Sequence, residues 1–220
     1  MSVKIVVINV KGGVGKSTIA CNLACISAIK NKKTILIDSD IQMSSMKFRQ
    51  TRSDAAPQFQ AYSILTPTIH KDIDDLEADY IIIDAGGRDT KVMRSAISAS
   101  DCAIIPLTPS QFDIWSSEDT FKMLDEVLPY KTVMPVMLLN QVIYGTQLSK
   151  DVVDVFNSFV DRYHFSPLDN RLYNRVAFKE SISEGLSVVE MKGEKYRKAG
   201  EEMYAVYDEI VRSIEKGHVE

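Results

Sequence analysis

The chain has 220 residues, 45% of them hydrophobic and 25% charged, with 10 glycines and 7 prolines, a composition that suits one large soluble α/β core. Its net charge of −4 exerts no overall pull toward nucleic acid, so any DNA contact has to come from a local patch. No apolar run approaches the ~18 residues of a membrane span, and Met1 leads directly into an apolar run, which leaves no room for a signal peptide and predicts a cytoplasmic chain.

Val3 to Val10 is that first run, dense in β-branched residues, and it reads as a buried parallel strand. Lys11-Gly12-Gly13-Val14-Gly15-Lys16-Ser17-Thr18 follows, and then Ile19 to Lys30 with apolar residues at helical spacing. Strand, glycine-rich turn and helix form the context of a phosphate-binding loop. Glycines at 12, 13 and 15 let backbone N–H groups converge on phosphate oxygens, and the helix start adds the positive end of its dipole. Lys16 is placed to reach the β- and γ-phosphates and the Ser17 hydroxyl to ligate magnesium. The strict pattern G-x-x-x-x-G-K-S/T fails only at Val10, where the first glycine belongs. The form K-G-G-x-G-K-S/T-T resembles the deviant Walker A of the ParA/MinD family of P-loop ATPases, which also holds nitrogenase iron protein and the arsenite-pump ATPase. The resemblance implies that Lys11 reaches across an ATP-sandwich dimer to the partner's nucleotide, and that residues 12–18, including Val14 and Thr18, bind ATP.

Cys21 and Cys25 lie one turn apart on the following helix; the spacing could serve a metal pair, but small buried apolar positions are the favoured reading, and with Cys102 they suit a reducing compartment. The second strand, Thr34 to Ile37, runs into Asp38-Ser39-Asp40-Ile41-Gln42, carboxylates at the end where open α/β sheets place their ligands. This resembles the family's D-x-D-P-Q with Ile41 in place of proline. It implies Asp38 near the metal and the lysine, and Asp40 positioning or activating the attacking water.

Residues 43–77 carry no assigned chemistry: a helix over 43–52, a break at 53–57, a short edge strand at 59–62 and a polar helix or turn at 71–77 are predicted. Asp79 to Asp84 is a strand of bulky apolar residues closing in an aspartate, as a Walker B strand requires, with Asp84 on the magnesium and Gly86 or Gly87 admitting the switch to the γ-phosphate. Arg88 on that switch is read as a solvated or partner-facing residue before a catalytic one. A helix over 90–99 and a buried strand over 102–107 lead to Thr108-Pro109-Ser110-Gln111-Phe112-Asp113, which resembles the family's dimer-interface segment. Trp115 beside it suits an interface anchor and a half-buried core aromatic equally.

After a helix over 116–127, the strand Val133 to Leu139 ends in Asn140, which by resemblance reads the adenine edge and otherwise is a turn-forming residue. A covering helix over 148–163 precedes His164, read as structural. The segment from Asn170 to Val188 looks like a basic segment of the family, with Arg171, Arg175 and Lys179 spaced as one helical stripe and Lys192 and Lys195 in a second basic cluster before a last helix over 199–214. By resemblance these basic residues hold DNA through its phosphates, although interleaved glutamates dilute their field and a solvated face is the plainer reading.

The resemblance spans nearly the whole chain and implies one domain over 1–220, a doubly wound, mostly parallel α/β sheet of the ParA/MinD P-loop type. It implies a magnesium-dependent ATPase that dimerises on ATP, binds nonspecific DNA, associates with the nucleoid in that state, and segregates plasmid or chromosomal DNA with a small centromere-binding partner of the ParB or ParG kind. A module starting at residue 3 excludes the N-terminal helix-turn-helix of the larger relatives. The alternatives are positioning of a protein cargo over the nucleoid and a MinD-like membrane cycle. The latter calls for a basic amphipathic tail, whereas residues 204–216 carry three acids against two bases.

Overall fold

The computed structural model describes residues 2–87, 90–110, 115–144, 150–163 and 165–217. Seven strands form one sheet: β1 (Val3–Val7), β2 (Thr34–Ser39), β3 (Gln60–Ser63), β4 (Tyr80–Ala85), β5 (Cys102–Leu107), β6 (Met134–Leu139) and β7 (Ser166–Pro167). Their order is β3-β2-β4-β1-β5-β6-β7, and every pairing among them is parallel rather than mostly so. The connections are helices: α1 (Lys16–Ile29), α2 (Ser44–Thr51), α3 (Ile69–Asp72), α4 (Lys91–Ser98), α5 (Glu118–Val127), α6 (Lys150–Tyr163), α7 (Val176–Ser183) and α8 (Glu194–Gly217). Parallel strands need such crossovers, and covering both faces is why the central strands are apolar throughout rather than alternating.

The period-two geometry of the strands sorts their side chains onto two faces. Ile5, Val7, Leu36, Ile82, Ile104 and Leu138 meet α1 and α8. Val6, Ile8, Ile35, Ile37, Ile81, Ile83 and Ile105 meet α4 and α5, and Phe121 of α5, Phe159 and Tyr163 of α6 and Phe165 form an aromatic cluster with centroid separations of 4.7–6.0 Å. Helix α1 runs inside the first layer, so Cys21 and Cys25 are buried thiols, as is Cys102 on β5.

Most elements fall where the sequence predicts; β7 is not among those predicted, and two others differ. The last helix begins at Glu194 rather than 199, extended by Arg197 pairing with Glu194 and Glu201 one turn to either side. The basic helical stripe is corrected: α7 starts at Val176, with Arg175 at its N-cap and Arg171 off the helix. The chain before it is held extended beside β6, with Leu172 N–H donating to Leu139 O, Val142 N–H to Leu172 O and Asn174 N–H to Val142 O. Gln111, Phe112 and Asp113 of the expected interface segment, Arg88 and His164 lie outside the described residues.

Candidate nucleotide site

The carboxyl ends of β1, β2, β4 and β6 converge on the loop between β1 and α1. Gly15 caps α1 in the left-handed region (φ 91°), with no side-chain cap and no acid in the first turn, so the first N–H groups of the helix stay open to an anion. Only glycine fits there: a Cβ on Gly15 would stand 2.4 Å from Asn140 Nδ2. Asn140 follows β6 and donates that Nδ2 to Val14 O at 2.7 Å, while Gln141 donates to Gly13 O at 2.8 Å. The loop is braced from the other side by Asn9, which donates to Pro106 O and Ser117 Oγ and accepts from Lys11 N–H and Thr120 Oγ, while Thr120 Oγ accepts Val10 N–H. Sequence reasoning misses Asn9, Gln141 and Thr120; an asparagine closing an apolar strand is the only visible signal, and it serves for the first alone.

Lys16 Nζ donates to Lys11 O at 2.9 Å across the loop. Burial lowers its pKa, and the charges of Asp84 and Asp40 work against that. Asp84 at the end of β4 is buried, and desolvation pushes its pKa up to about 7. Ser45 Oγ donates to its Oδ2 at 2.6 Å; the Ser17 hydroxyl also favours the charged form, without closing a hydrogen bond on Oδ1, which has no partner. A buried, unpaired carboxylate oxygen beside Ser17 and Lys16 is costly unless a cation meets it, which is what a magnesium ion would supply. No group of three or more His, Cys, Asp or Glu gathers to hold a metal among the described residues, so Ser17 and Asp84 would hold a magnesium ion together with water and nucleotide oxygens.

Asp38 sits beside Asp84 in register on β2 and is also buried, yet its oxygens face elsewhere. Oδ1 accepts Asp40 N–H at 3.0 Å and Oδ2 accepts Met46 N–H at 2.9 Å, so it caps the start of α2 and shapes the loop carrying Asp40. Desolvation raises its pKa and those amides oppose the rise. Asp40 accepts Gln42 N–H at 2.9 Å and faces Gly86, where a Cβ would lie 3.6 Å from Asp40 Cγ.

Two cavities flank the loop. One of about 260 Å³ is lined by Gly13, Gly15, Thr18, Asn140, Tyr173 and Arg175; the other, about 290 Å³, by Gly12, Asp40, Gln42, Gly86 and Gly87. The first suits a base and sugar, the second the end of a phosphate chain and a water. Exposed Ile41 and Leu65 rim the second. Of the expected DNA contacts, Arg175 is held bidentately by Glu202 (2.6 Å) between Tyr144 and Tyr173, and Lys195 pairs with Glu180 (2.9 Å). Arg171, Lys179 and Lys192 are exposed with no ion pair among the described residues. Trp115 is half-exposed, at 50%.

The end of the 170–188 segment is tied into the fold. Ser187 Oγ and Val188 N–H both donate to Asn22 Oδ1 of α1. Gly185 (φ 66°) lies against the end of α2, where a Cβ would come 2.6 Å from Arg52 N. The fully buried Arg52 side chain donates to Pro57 O, Gly185 O and both oxygens of Glu190.

The profile of the family described as the CobQ/CobB/MinD/ParA nucleotide binding domain matches residues 5–212. Among curated proteins, the maintenance of carboxysome distribution protein A of Halothiobacillus neapolitanus is 22% identical over 211 residues (94% of this chain, 95% of that protein). That of Gloeobacter kilaueensis is 26% identical over 222 residues (96% and 95%). Among solved structures, a Cyanothece McdA variant in complex with ATP superposes with a TM-score of 0.77 at 15% identity, covering 95% of this chain and 96% of that one. A candidate plasmid partition protein of Borrelia burgdorferi bound to AMPPNP gives 0.71 at 19% identity (97% and 100%), and Pyrococcus horikoshii MinD with Mg-ADP gives 0.71 at 18% (97% and 99%). The chain belongs to the CobQ/CobB/MinD/ParA nucleotide-binding domain family and is a P-loop ATPase of the ParA/MinD type.

Proposed function

We propose that this ATPase positions a cargo: two copies close over ATP, the dimer holds DNA without regard to sequence, and a partner protein on the cargo triggers hydrolysis and release. The cargo is a protein assembly. The observation that carries this reading is the near full-length match to two proteins that maintain carboxysome distribution. Segregation of a plasmid or chromosomal locus with a ParB- or ParG-like centromere-binding partner is the second reading, favoured by the likeness to the Borrelia partition protein. No helix among the described residues is long and apolar enough to cross a membrane.

In this reading the open N–H groups of residues 12–18 and the Lys16 ammonium take the β- and γ-phosphates, and Ser17 and Asp84 hold the magnesium. Asp38 acts one step back, fixing the loop that aims Asp40 at the attacking water. Lys11 serves the partner copy's nucleotide, with the apolar rim of Ile41 and Leu65 packing between copies. Asn140, its Nδ2 committed to Val14 O, keeps Oδ1 as an acceptor for an exocyclic amino group. DNA contact rests on exposed Arg171, Lys179 and Lys192 first, because Arg175 and Lys195 are already paired.

The test is binding to random-sequence duplex DNA with ATPγS, ADP or no nucleotide across a salt series, with the oligomeric state measured alongside. Binding confined to the ATPγS-bound dimer and falling steeply with salt supports the cycle; a dimer that ignores DNA at low salt overturns it. Cross-linking a tagged Asp40→Ala chain in the source cell then decides the cargo, since a captured site-specific DNA-binding protein would favour the second reading.

A further inference from the structure

Helix α2 enters the nucleotide site through Ser45. Its hydroxyl donates to Asp84 Oδ2 at 2.6 Å and lies 3.4 Å from Cys21 Sγ, and both Ser45 and Asp84 are almost wholly buried, at 0% and 1% exposure. The donor cannot drift. Asp38 accepts the Met46 N–H at one end of α2, Phe48 is buried beneath it, and Arg52 at the other end is clamped to Glu190 and Gly185. The two oxygens of Asp84 are therefore not equivalent, because Oδ2 is occupied and Oδ1 has no hydrogen-bond partner among the described residues.

We infer that Ser45 is a positioning residue for magnesium binding: by holding Oδ2 it turns Oδ1 of Asp84 toward the Ser17 corner where the ion is received with the nucleotide. The inference rests on the reading of Asp84 as the carboxylate that faces magnesium. Hydrogen-bond partners that orient a metal-side carboxylate are worth 10–100-fold in metal affinity, so loss of this one should cost about 10-fold or more.

The experiment measures the affinity of a fluorescent ADP analogue with magnesium and again with EDTA. In the unmodified chain magnesium should tighten binding. In Ser45→Ala the EDTA value should stay unchanged while the tightening by magnesium shrinks about 10-fold or more. Ser45→Thr, which keeps the hydroxyl, should restore it. Equal magnesium tightening in Ser45→Ala and the unmodified chain would overturn the inference, as would an equal loss with and without magnesium, which marks a purely structural role. If Ser45→Ala does not fold, Ser45→Cys takes its place: tightening weaker than in Ser45→Thr supports the inference, and parity between the two overturns it. An Asp84→Ala chain that keeps full magnesium tightening would instead remove the reading of Asp84 beneath it.

Discussion

Asp84→Asn should stabilise the nucleotide- and magnesium-free protein at neutral pH while stopping turnover. Burial raises the Asp84 pKa from the ordinary 3.8 to about 7. The folded carboxyl thus keeps its proton up to about pH 7, whereas the unfolded chain releases it near 3.8. Between those values the native state binds more protons, so its stability falls as pH rises; above them both states are ionised and the penalty is constant. Roughly three pH units at about 1.36 kcal/mol each set the penalty at pH 8 to at most about 4 kcal/mol. The amide of the variant never ionises and still offers Ser45 an acceptor. Its advantage over the unmodified chain should therefore widen by about 3 kcal/mol between pH 5 and pH 8, read from urea unfolding with chelator present. Magnesium with ADP should close the gap by binding only the carboxylate form. A gap that stays constant across that range would mean that Asp84 is ionised throughout, and the significance of its orphaned oxygen would fall with it.

Gly15→Ala sets a Cβ at φ 91° and 2.4 Å from Asn140 Nδ2, so nucleotide affinity should fall at least about 10-fold, at a backbone cost of about 1–2 kcal/mol. Isothermal titration would read the loss, and an affinity equal to that of the unmodified chain would refute the clash. Arg52→Ala leaves Glu190, Gly185 O and Pro57 O without their buried donor and should cost about 3–5 kcal/mol in urea unfolding, with a change below about 1 kcal/mol telling against the clamp. Asp40→Ala should retain ATP-dependent dimers, seen by light scattering, and lose hydrolysis; a variant that stays monomeric with ATP would move Asp40 from turnover to binding.

The parts of the fold that can be read from sequence are those where one physical demand dominates. A strand buried on both faces is a nearly continuous apolar run, so β1, β4, β5 and β6 stand out, and the phosphate loop stands out because glycine-rich turns between such a strand and a helix have few other uses. Less legible are residues whose role depends on a distant partner. Arg52 looks like any surface arginine at a helix end, and only Glu190 and Gly185, far along the chain, make it a buried clamp. Ser45 looks like an ordinary polar residue in the first turn of a helix until Asp84 is placed above it. Arg171, Arg175 and Lys179 have helical spacing, but buried Leu172 pairs with the end of β6 and keeps that stretch extended until residue 176. Tertiary pairing overrides a local pattern that is compatible with a helix but does not cause one.

The same long-range contacts bear on how the site is built. The loop of residues 11–18 separates two cavities, and each is walled by a different part of the chain: residues 172–179 line one, the loops after β2 and β4 the other. One support reaches both the helix behind the loop and the second wall. Residues 185–190 hold α1 through Asn22 and α2 through Arg52, while α2 in turn holds Asp38 and, through Ser45, Asp84. Asn22, Arg52 and Ser45, whose polar atoms are spent on protein partners, thus set where the groups that face the nucleotide can stand. Gly185, Ser187 and Val188 act in this frame, whereas Arg171 and Lys179 of the same segment stay exposed.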